Sequence, residues 1–172
     1  SIGGALFAYY SYLNKKRKVL KDDGMNGSFL GPKYKDIEIK KTLEESKIKY
    51  SYLNTNKIIN ETTKLLCNNK TIGWFQDRME FGPRALGSRS IIADPRSDKM
   101  QKILNLKVKY RESFRPFAPS VLREDLEDWF ELSYDSPYML LVAEVNSKIK
   151  KNMSEDQKKL FGIDKLNVKR SE

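Results

Sequence analysis

The 172-residue sequence contains no histidine and a single cysteine. Without histidine, Ser-His-Asp catalysis, Cys-His catalysis and histidine-ligated metal sites are excluded within this chain. A single cysteine, Cys67, also excludes an internal disulfide and a cysteine-based zinc site. Because Cys67 lies in an apolar helical pattern, we expect a small buried hydrophobic residue there and not a reactive thiol. Any chemistry must therefore use arginine, lysine, carboxylates, hydroxyls and backbone groups.

Long hydrophobic runs are missing as well, since no apolar stretch approaches the ~20 residues that span a bilayer. The first residues, "SIGGALFAYYSYLNKKRK", include neither a basic region before the apolar run nor an initiator methionine, which indicates a cut through a longer polypeptide. Hydrophobic residues make up 39% of the chain, which is enough for a folded domain. We expect a cytoplasmic protein without a membrane partner.

Positive charge is abundant, with 33 Lys and Arg against 23 Asp and Glu and a net charge of +10. Such an excess fits an anionic partner, namely nucleic acid, nucleotide, a phosphate-bearing substrate or acidic lipid. Between Asp77 and Arg123, eleven cations face only five carboxylates. Because a buried ion without a counter-charge costs several kcal/mol, we predict an anion site within this segment.

Hydrophobic periodicity predicts a mixed fold. Helices are expected over residues 2–13, 36–47, 55–69, 97–108 (capped by Ser97) and 123–132, and strands over residues 48–53, 71–76, 90–94 and 138–145. Residues 14–28 have the composition of a polar connector. Because helices and strands mix without strict alternation, we expect an α/β fold with a mixed, partly parallel twisted sheet covered by helices.

The most informative stretch is "GWFQDRMEFGPRALGSRSIIADPRSDKM", residues 73–100. Gly82 and Gly87 permit positive φ or close backbone approach, while Pro83 fixes φ and can start a helical turn. We therefore predict a loop that enters a short helix, with free amides directed at an anion. The planar guanidinium of an arginine such as Arg84 binds phosphate or carboxylate oxygens through two parallel hydrogen bonds. The stretch lacks the Gly-Lys-Ser/Thr ending of a standard phosphate loop.

A second cationic stretch follows in "LKVKYRESFRPFAPS". Lys107, Lys109 and Arg111 alternate as on a strand, so that one face would present all three. Arg115 stands between Phe114 and Pro116, which we expect to hold its stem rigid. For any single arginine the alternative is a surface ion pair with Glu80, Asp94 or Glu112, and we expect such structural roles for Arg96 and Arg111.

Two blocks, "GWFQDRMEFGPRALGSRSIIADPR" and "KYRESFRPFAPSVL", resemble the C-terminal domain of the O-carbamoyltransferases of nodulation and antibiotic biosynthesis. The resemblance is dense over residues 71–131, and residues 2–13 resemble the end of the preceding domain of that family. It implies that residues 1–25 are the end of a Kae1-like domain and a connector. Residues 26–172 would then be a YrdC-like α/β domain, truncated at its C-terminus.

The resemblance also implies an activity. In that family the C-terminal domain uses carbamoyl phosphate, ATP and Mg²⁺ to form carbamoyl adenylate, and the iron-containing Kae1-like N-terminal domain transfers the carbamoyl group to a hydroxyl of a small molecule. Carried over by motif, Arg84, Lys109 and Arg115 would hold carbamoyl phosphate and the nucleotide phosphates. Lys109 and Arg115 would be catalytic, and Arg78 and Ser90 are further binding candidates.

The sequence departs from the family pattern in two ways. Asp77 stands where the family usually has glycine, and its side chain would alter the loop or pair with a neighbouring arginine. The chain also stops before a His-x-Asp-Gly-Thr stretch that carries another arginine of the nucleotide site, and the transfer domain is not part of it. We therefore expect a fragment that folds and binds phosphate without completing a carbamoylation alone.

Two other functions remain open at this point. The first is a basic, tRNA-related nucleic-acid-binding YrdC-like module, which the net charge and aromatic content favour. The aromatic residues fall mostly in apolar patterns, however, and core packing explains them better than base stacking does. The second is a structural domain that only docks against the transferase half.

Overall fold

The computed structural model describes residues 2–162, 164 and 168. Its helices are α1 (Ile2–Phe7, continued as a π-helix over Ala8–Tyr12), α2 (Asp36–Glu45), α3 (Thr55–Cys67), α4 (Met100–Ile103, continued as a π-helix over Leu104–Val108), α5 (Leu126–Trp129) and α6 (Glu155–Lys159). Short 3₁₀ turns lie at Asn26–Ser28 and Arg123–Asp125, and the strands are β1 (Ile72–Phe75) and β2 (Arg89–Ile92). No helix within these residues has both the length and the apolarity that crossing a membrane requires.

Helix α3 shows how local sequence sets the bounds of an element. The side chain of Asn54 accepts a hydrogen bond from the Lys57 amide at 3.0 Å, which satisfies one of the free donors of the first turn. After Cys67 the chain leaves the helix, and Asn69 takes a positive φ of 56° that asparagine tolerates better than most residues. Helix α3 then leads directly into β1, as the sequence predicts.

Strands β1 and β2 form an antiparallel pair in which Trp74 lies opposite Ser90 and Phe75 lies opposite Arg89. Their connection, residues 76–88, contains Arg78 and Arg84 and is called the arginine loop below. The mixed α/β character of the fold is confirmed. The parallel component of the predicted sheet is not confirmed, because the sheet of the described residues consists of this antiparallel pair.

Two predicted strands are wrong. Residues 48–53 contain no strand, and residues 138–145 contribute only an isolated bridge between Val145 and Phe130. Val142, in the middle of the most hydrophobic stretch, is 99% exposed. Apolar alternation favours a strand but does not supply a neighbouring strand to pair with. The predicted helix over residues 123–132 is reduced to the 3₁₀ turn and α5.

The strand-like alternation of Lys107, Lys109 and Arg111 is also wrong. Helix α4 continues as a π-helix to Val108, and Lys109 retains a helical backbone with φ −95° and ψ −13°. Side chains two positions apart do not share a face in a helical backbone, so these three cations do not form the predicted row. The helix cap differs too, since Ser97 contributes its backbone carbonyl to the Met100 amide, at 3.1 Å.

Little apolar surface is fully buried. Met100 and Leu104, on α4 and its continuation, are the buried hydrophobic residues of the described chain, with exposures of 3% and 6%. The accessible surface is 15099 Å², whereas a compact monomer of this mass exposes about 9,000 Å². The expectation that aromatic residues pack in the core is wrong for several, including Tyr12, Tyr52 and Tyr110, which are at least 80% exposed.

Candidate anion-binding site

The arginine loop closes around the side chain of Glu80, which is only 5% exposed. Its Oε1 atom accepts hydrogen bonds from the backbone amides of Leu86 (2.8 Å), Ser88 (2.7 Å) and Arg89 (3.2 Å). Burial raises the pKa of Glu80, but its own backbone amide and these three amide donors together outweigh burial and hold the pKa below its ordinary value. Glu80 is therefore an ionised, internal anion.

The loop differs from its predicted form. Gly82 and Gly87 do adopt positive φ, 140° and 114°, which confirms why glycine stands at these two positions. The short helix predicted after Pro83 is absent from residues 81–87. The prediction of free amides is wrong for the last part of the loop, because Glu80 binds those of Leu86, Ser88 and Arg89, and Gly87 donates to the Ser90 hydroxyl at 3.0 Å.

Arg89 has a structural role. Its guanidinium donates to the carbonyls of Gln76 (2.7 Å), Ser88 (2.9 Å) and Asp77 (2.9 Å), at both ends of the loop. The same group lies 3.4 Å from the centroid of the Phe75 ring, a cation–π contact. With three of its five N–H donors bonded to backbone carbonyls, Arg89 connects the two ends of the loop.

Asp77 occupies a backbone position that suits glycine. Its φ is 43°, in the left-handed region, which aspartate adopts more readily than most other residues. The prediction that it pairs with a neighbouring arginine is wrong for its carboxylate, which instead pairs with Lys33 at 2.8 Å on the surface. The hydrogen bond from Lys33 lowers the pKa of Asp77. The Arg89 guanidinium contacts the backbone carbonyl of Asp77 and not its carboxylate.

A segment that sequence analysis missed lies against the loop. The amides of Gly31, Met79 and Phe81 bond to the carbonyls of Met79 (2.9 Å), Pro32 (3.0 Å) and Ser28 (2.6 Å), respectively. At Gly31 a Cβ atom would lie 2.7 Å from the Met79 carbonyl oxygen, so only glycine fits. The Gly-Pro pair at 31–32 was the available signal. Residues 28–32 therefore support the loop and are more than a connector.

Arg78 and residues 28–32, the supporting segment, line an open cleft of about 550 Å³, together with Asn26, Gln76 and Ser88. The Arg78 guanidinium donates a hydrogen bond to the Gly31 carbonyl at 2.9 Å. This bond uses part of its hydrogen-bonding capacity, and Arg78 remains exposed. Of the predicted ligand-binding residues, Arg78 lies near the start of the loop, Arg84 lies within it, and Ser90 lies just after it in β2.

The three principal cations differ in their partners. Arg84 and Lys109 are exposed, and within the described part of the chain neither side chain makes a hydrogen bond or ion pair. Arg115 pairs with Glu112 at 2.7 Å, an exposed pair that raises the pKa of Arg115 and lowers that of Glu112. Exposed pairs of this kind contribute about 0–1 kcal/mol, so an incoming dianion can compete for Arg115.

Asn105 organises the second cationic stretch. It is fully buried, with 0% exposure. Its Nδ2 donates to the carbonyls of Ser113 (3.0 Å) and Arg115 (2.8 Å), and its Oδ1 accepts from Arg111 Nε at 2.6 Å. Arg111 also lies over the Phe117 ring at 4.9 Å, which confirms its structural role. The one signal in the sequence was a polar residue in the apolar pattern of α4.

Arg96 is structural as well, because it pairs with Asp94 at 2.6 Å and donates a second bond through Nε. It also contacts the Cys67 sulfur at 3.6 Å. Cys67 is exposed, so the prediction of a buried hydrophobic residue is wrong. The cause is that α3 turns this position towards the Arg96 side chain and not towards a core.

Acid should remove the contribution of the Asp94–Arg96 pair to stability. The hydrogen bonds from Arg96 lower the pKa of Asp94 from 3.8 to about 2. A carboxyl group whose pKa is lower in the folded state than in the unfolded state stabilises the fold at pH values above its unfolded pKa. This stabilisation is lost as pH falls through the folded-state pKa. We expect the free energy of unfolding of Asp94→Asn to fall below that of the parent chain near neutral pH and to converge with it below about pH 2. Denaturant titrations across this range measure the difference, and a gap independent of pH contradicts the assignment.

Metal-ligating side chains are sparse in the described residues, where no group of three or more Cys, Asp or Glu side chains could hold a metal ion. Mg²⁺ that accompanies a nucleotide takes most of its ligands from phosphate and water, with one or two carboxylates. Among the described residues the carboxylates therefore do not form a protein cage for a metal ion.

The site is therefore a carboxylate-anchored loop whose Arg84 has no partner among the described residues. A second cationic stretch, held by a buried asparagine, follows it in the sequence. The profile of the carbamoyltransferase C-terminus matches residues 63–158, which include both. The chain belongs to this carbamoyltransferase family, which confirms the resemblance noted in the sequence.

Several relatives match all or part of the chain. An uncharacterized protein of Synechocystis, sll1178, is 49% identical over the whole chain. The nodulation protein NolO of Bradyrhizobium diazoefficiens is 52% identical over 46% of the chain, and nodulation protein U of Sinorhizobium fredii is 44% identical over 48%. The chain spans 28% of the Synechocystis protein, and the matched parts make up 15% of NolO and 14% of nodulation protein U.

Proposed function

We propose that this chain is the phosphate-binding part of an O-carbamoyltransferase. It binds carbamoyl phosphate and the phosphates of ATP and supports formation of carbamoyl adenylate. Water cleaves carbamoyl phosphate to carbamate and inorganic phosphate, and the carbamate oxygen then displaces pyrophosphate from the α-phosphorus of ATP. A Kae1-like N-terminal domain of the same protein then transfers the carbamoyl group to a hydroxyl of a small molecule. The observation that carries the proposal is Arg84, an unpaired guanidinium on an internally anchored loop within the family match.

The charge arithmetic of the loop favours an anionic ligand at Arg84. The Glu80 carboxylate accepts hydrogen bonds from backbone amides, and the Arg89 guanidinium donates hydrogen bonds to backbone carbonyls. Neither neutralises Arg84, whose side chain has no partner in the described residues. A phosphate group supplies the missing charge and matches the planar donor fork of arginine.

Lys109 and Arg115 supply the remaining positive charge in this proposal. Transfer of the carbamoyl group to the nucleotide builds negative charge on phosphate and acyl oxygens, and fixed cations stabilise that charge. Lys109 is available without rearrangement, whereas Arg115 must exchange Glu112 for the ligand. Mg²⁺ bound to ATP would neutralise part of the phosphate charge. The Ser90 hydroxyl accepts a hydrogen bond from the Gly87 amide, so its own proton remains available for donation.

Because the ligand must displace Glu112 from Arg115, a variant without the Glu112 charge should bind the ligand more tightly. Removing the competing carboxylate in Glu112→Gln should raise the affinity of the full-length protein for carbamoyl phosphate by about two- to fivefold, since exposed ion pairs contribute about 0–1 kcal/mol. Isothermal titration calorimetry at low salt measures the change. Glu61→Gln, which removes a comparable exposed partner from Lys64, is the matched control and should leave affinity unchanged. Weaker binding in Glu112→Gln would show that Glu112 itself supports the ligand.

The proposed function is tested directly on the full-length protein. Carbamoyl phosphate and Mg-ATP should bind in calorimetric titrations, and pyrophosphate should be released when both are present. ATP without carbamoyl phosphate is the control for ordinary ATP hydrolysis. If no pyrophosphate appears with both substrates, this chain does not belong to an enzyme that forms carbamoyl adenylate.

A further inference from the structure

Glu80 is unusual because a buried acid is normally paired with a cation or a metal. With 5% exposure it makes no ion pair in the described residues. One oxygen, Oε1, accepts all three amides, from Leu86, Ser88 and Arg89, at 2.7 to 3.2 Å. The chain thus places a full negative charge where the amides of the arginine loop converge.

Converging backbone amides are the usual means by which a loop binds phosphate. In this loop that position is filled from within, since Glu80 lies on the same loop as the amides it binds. A ligand phosphate cannot use these donors without displacing a buried carboxylate. Arg84 is the cationic side chain that the loop carries between Glu80 and Leu86, and it can meet the charge of the ligand.

The loop depends on such an anchor. Gly82 and Gly87 take positive φ, and residues 81–87 have no regular structure. Glycine-containing segments lose more conformational freedom on ordering than others do. The Glu80 bonds connect the first part of the loop to its last part, and they enclose the turn that carries Arg84.

We propose that Glu80 is a positioning residue, a built-in anion that holds the arginine loop in the shape that presents Arg84 to the phosphate of the substrate. This role rests on the proposed function for the identity of the ligand. The anchoring of the loop by Glu80 does not depend on the ligand and can be measured separately.

Two measurements on the full-length protein test the proposal. Hydrogen exchange of the Leu86, Ser88 and Arg89 amides should accelerate at least about tenfold in Glu80→Ala, because their acceptor is lost. Affinity for carbamoyl phosphate should fall about ten- to a hundredfold in the same variant. Glu80→Gln should lie between the parent and Glu80→Ala, because its amide oxygen still accepts hydrogen bonds but without charge. Glu124→Ala, at an exposed glutamate outside the loop, should match the parent in both measurements.

Rescue separates positioning from a general loss of structure. Acetate in millimolar excess should enter the space vacated in Glu80→Ala, restore protection of the three amides and recover part of the affinity. Propionamide, of similar size but neutral, should restore less.

Each outcome decides a different point. Unchanged amide protection in Glu80→Ala overturns the anchoring, and lost protection with unchanged affinity overturns the positioning of Arg84. If Glu80→Ala does not fold, Glu80→Gln decides, and parent-like protection and affinity in it overturn the proposal. A parent protein that does not bind carbamoyl phosphate overturns the proposed function, while the exchange data still decide whether Glu80 anchors the loop.

Discussion

Replacing Arg84 by alanine in the full-length protein should weaken carbamoyl phosphate binding by about ten- to a hundredfold. Arg84 is exposed and has no partner in the described chain, so the substitution removes no internal contact and should leave stability unchanged. The expected loss corresponds to about 1.5–3 kcal/mol for a charge-assisted hydrogen bond to phosphate. Calorimetric titration measures the affinity, and thermal unfolding checks the fold.

Two further variants make the Arg84 result specific. Arg84→Lys keeps the charge but not the planar fork, and it should recover only part of the affinity. Arg17→Ala removes another exposed arginine, which has no partner among the described residues and lies outside residues 63–158, and it should have no effect. Equal losses in Arg84→Ala and Arg17→Ala would reduce the interaction to non-specific charge attraction, and parent-like affinity in Arg84→Ala would remove Arg84 from the site.

Asn105→Ala should produce the largest loss of stability, about 2–4 kcal/mol in the free energy of unfolding. The substitution leaves the carbonyls of Ser113 and Arg115 without their Asn105 donor, and it removes the acceptor of the Arg111 guanidinium. Unsatisfied buried polar groups cost about 1–3 kcal/mol each, and part of this cost is offset where Gln101 also donates to the Arg115 carbonyl, at 3.1 Å. Urea titration of the full-length protein gives the difference.

The control for Asn105 is Asn60→Ala, at an exposed position on α3, which should change stability by no more than about 0.5 kcal/mol. Asn105→Asp provides a second comparison. Its carboxylate still accepts from Arg111, but it faces the carbonyl oxygens of Ser113 and Arg115 and should be nearly as destabilising as alanine. If Asn105→Ala unfolds at the same urea concentration as Asn60→Ala, the buried network does not hold the second cationic stretch.

The local features of the site were predictable because they follow from backbone chemistry. Gly82 and Gly87 adopt the positive φ that glycine permits, and Asp77 takes a left-handed conformation of the kind that glycine adopts readily. Arg96 and Arg111 have the structural roles expected of them. The family assignment also came from sequence, since the two blocks that carry the resemblance lie within residues 63–158.

Other features depended on contacts between residues distant in sequence. Gly31 lies against Met79 because the supporting segment reaches the arginine loop, and nothing near residue 31 indicates where that partner is. The strand predicted over residues 138–145 is wrong for the same reason. The apolar pattern predicts a strand, but it does not specify the neighbouring strand with which these residues would have to pair.

The sequence alone determined the charge, the lack of histidine chemistry, the two turns that require glycine and the carbamoyltransferase family, because each resides in residue identity or short-range spacing. The tertiary structure decided which charges are already satisfied. In the fold, Glu80 binds the loop amides and Arg89 binds backbone carbonyls, while Arg115 pairs with Glu112. Arg84 and Lys109 have no partner in the described residues. Hydrogen-bond satisfaction depends on distance and direction in space, and composition specifies neither.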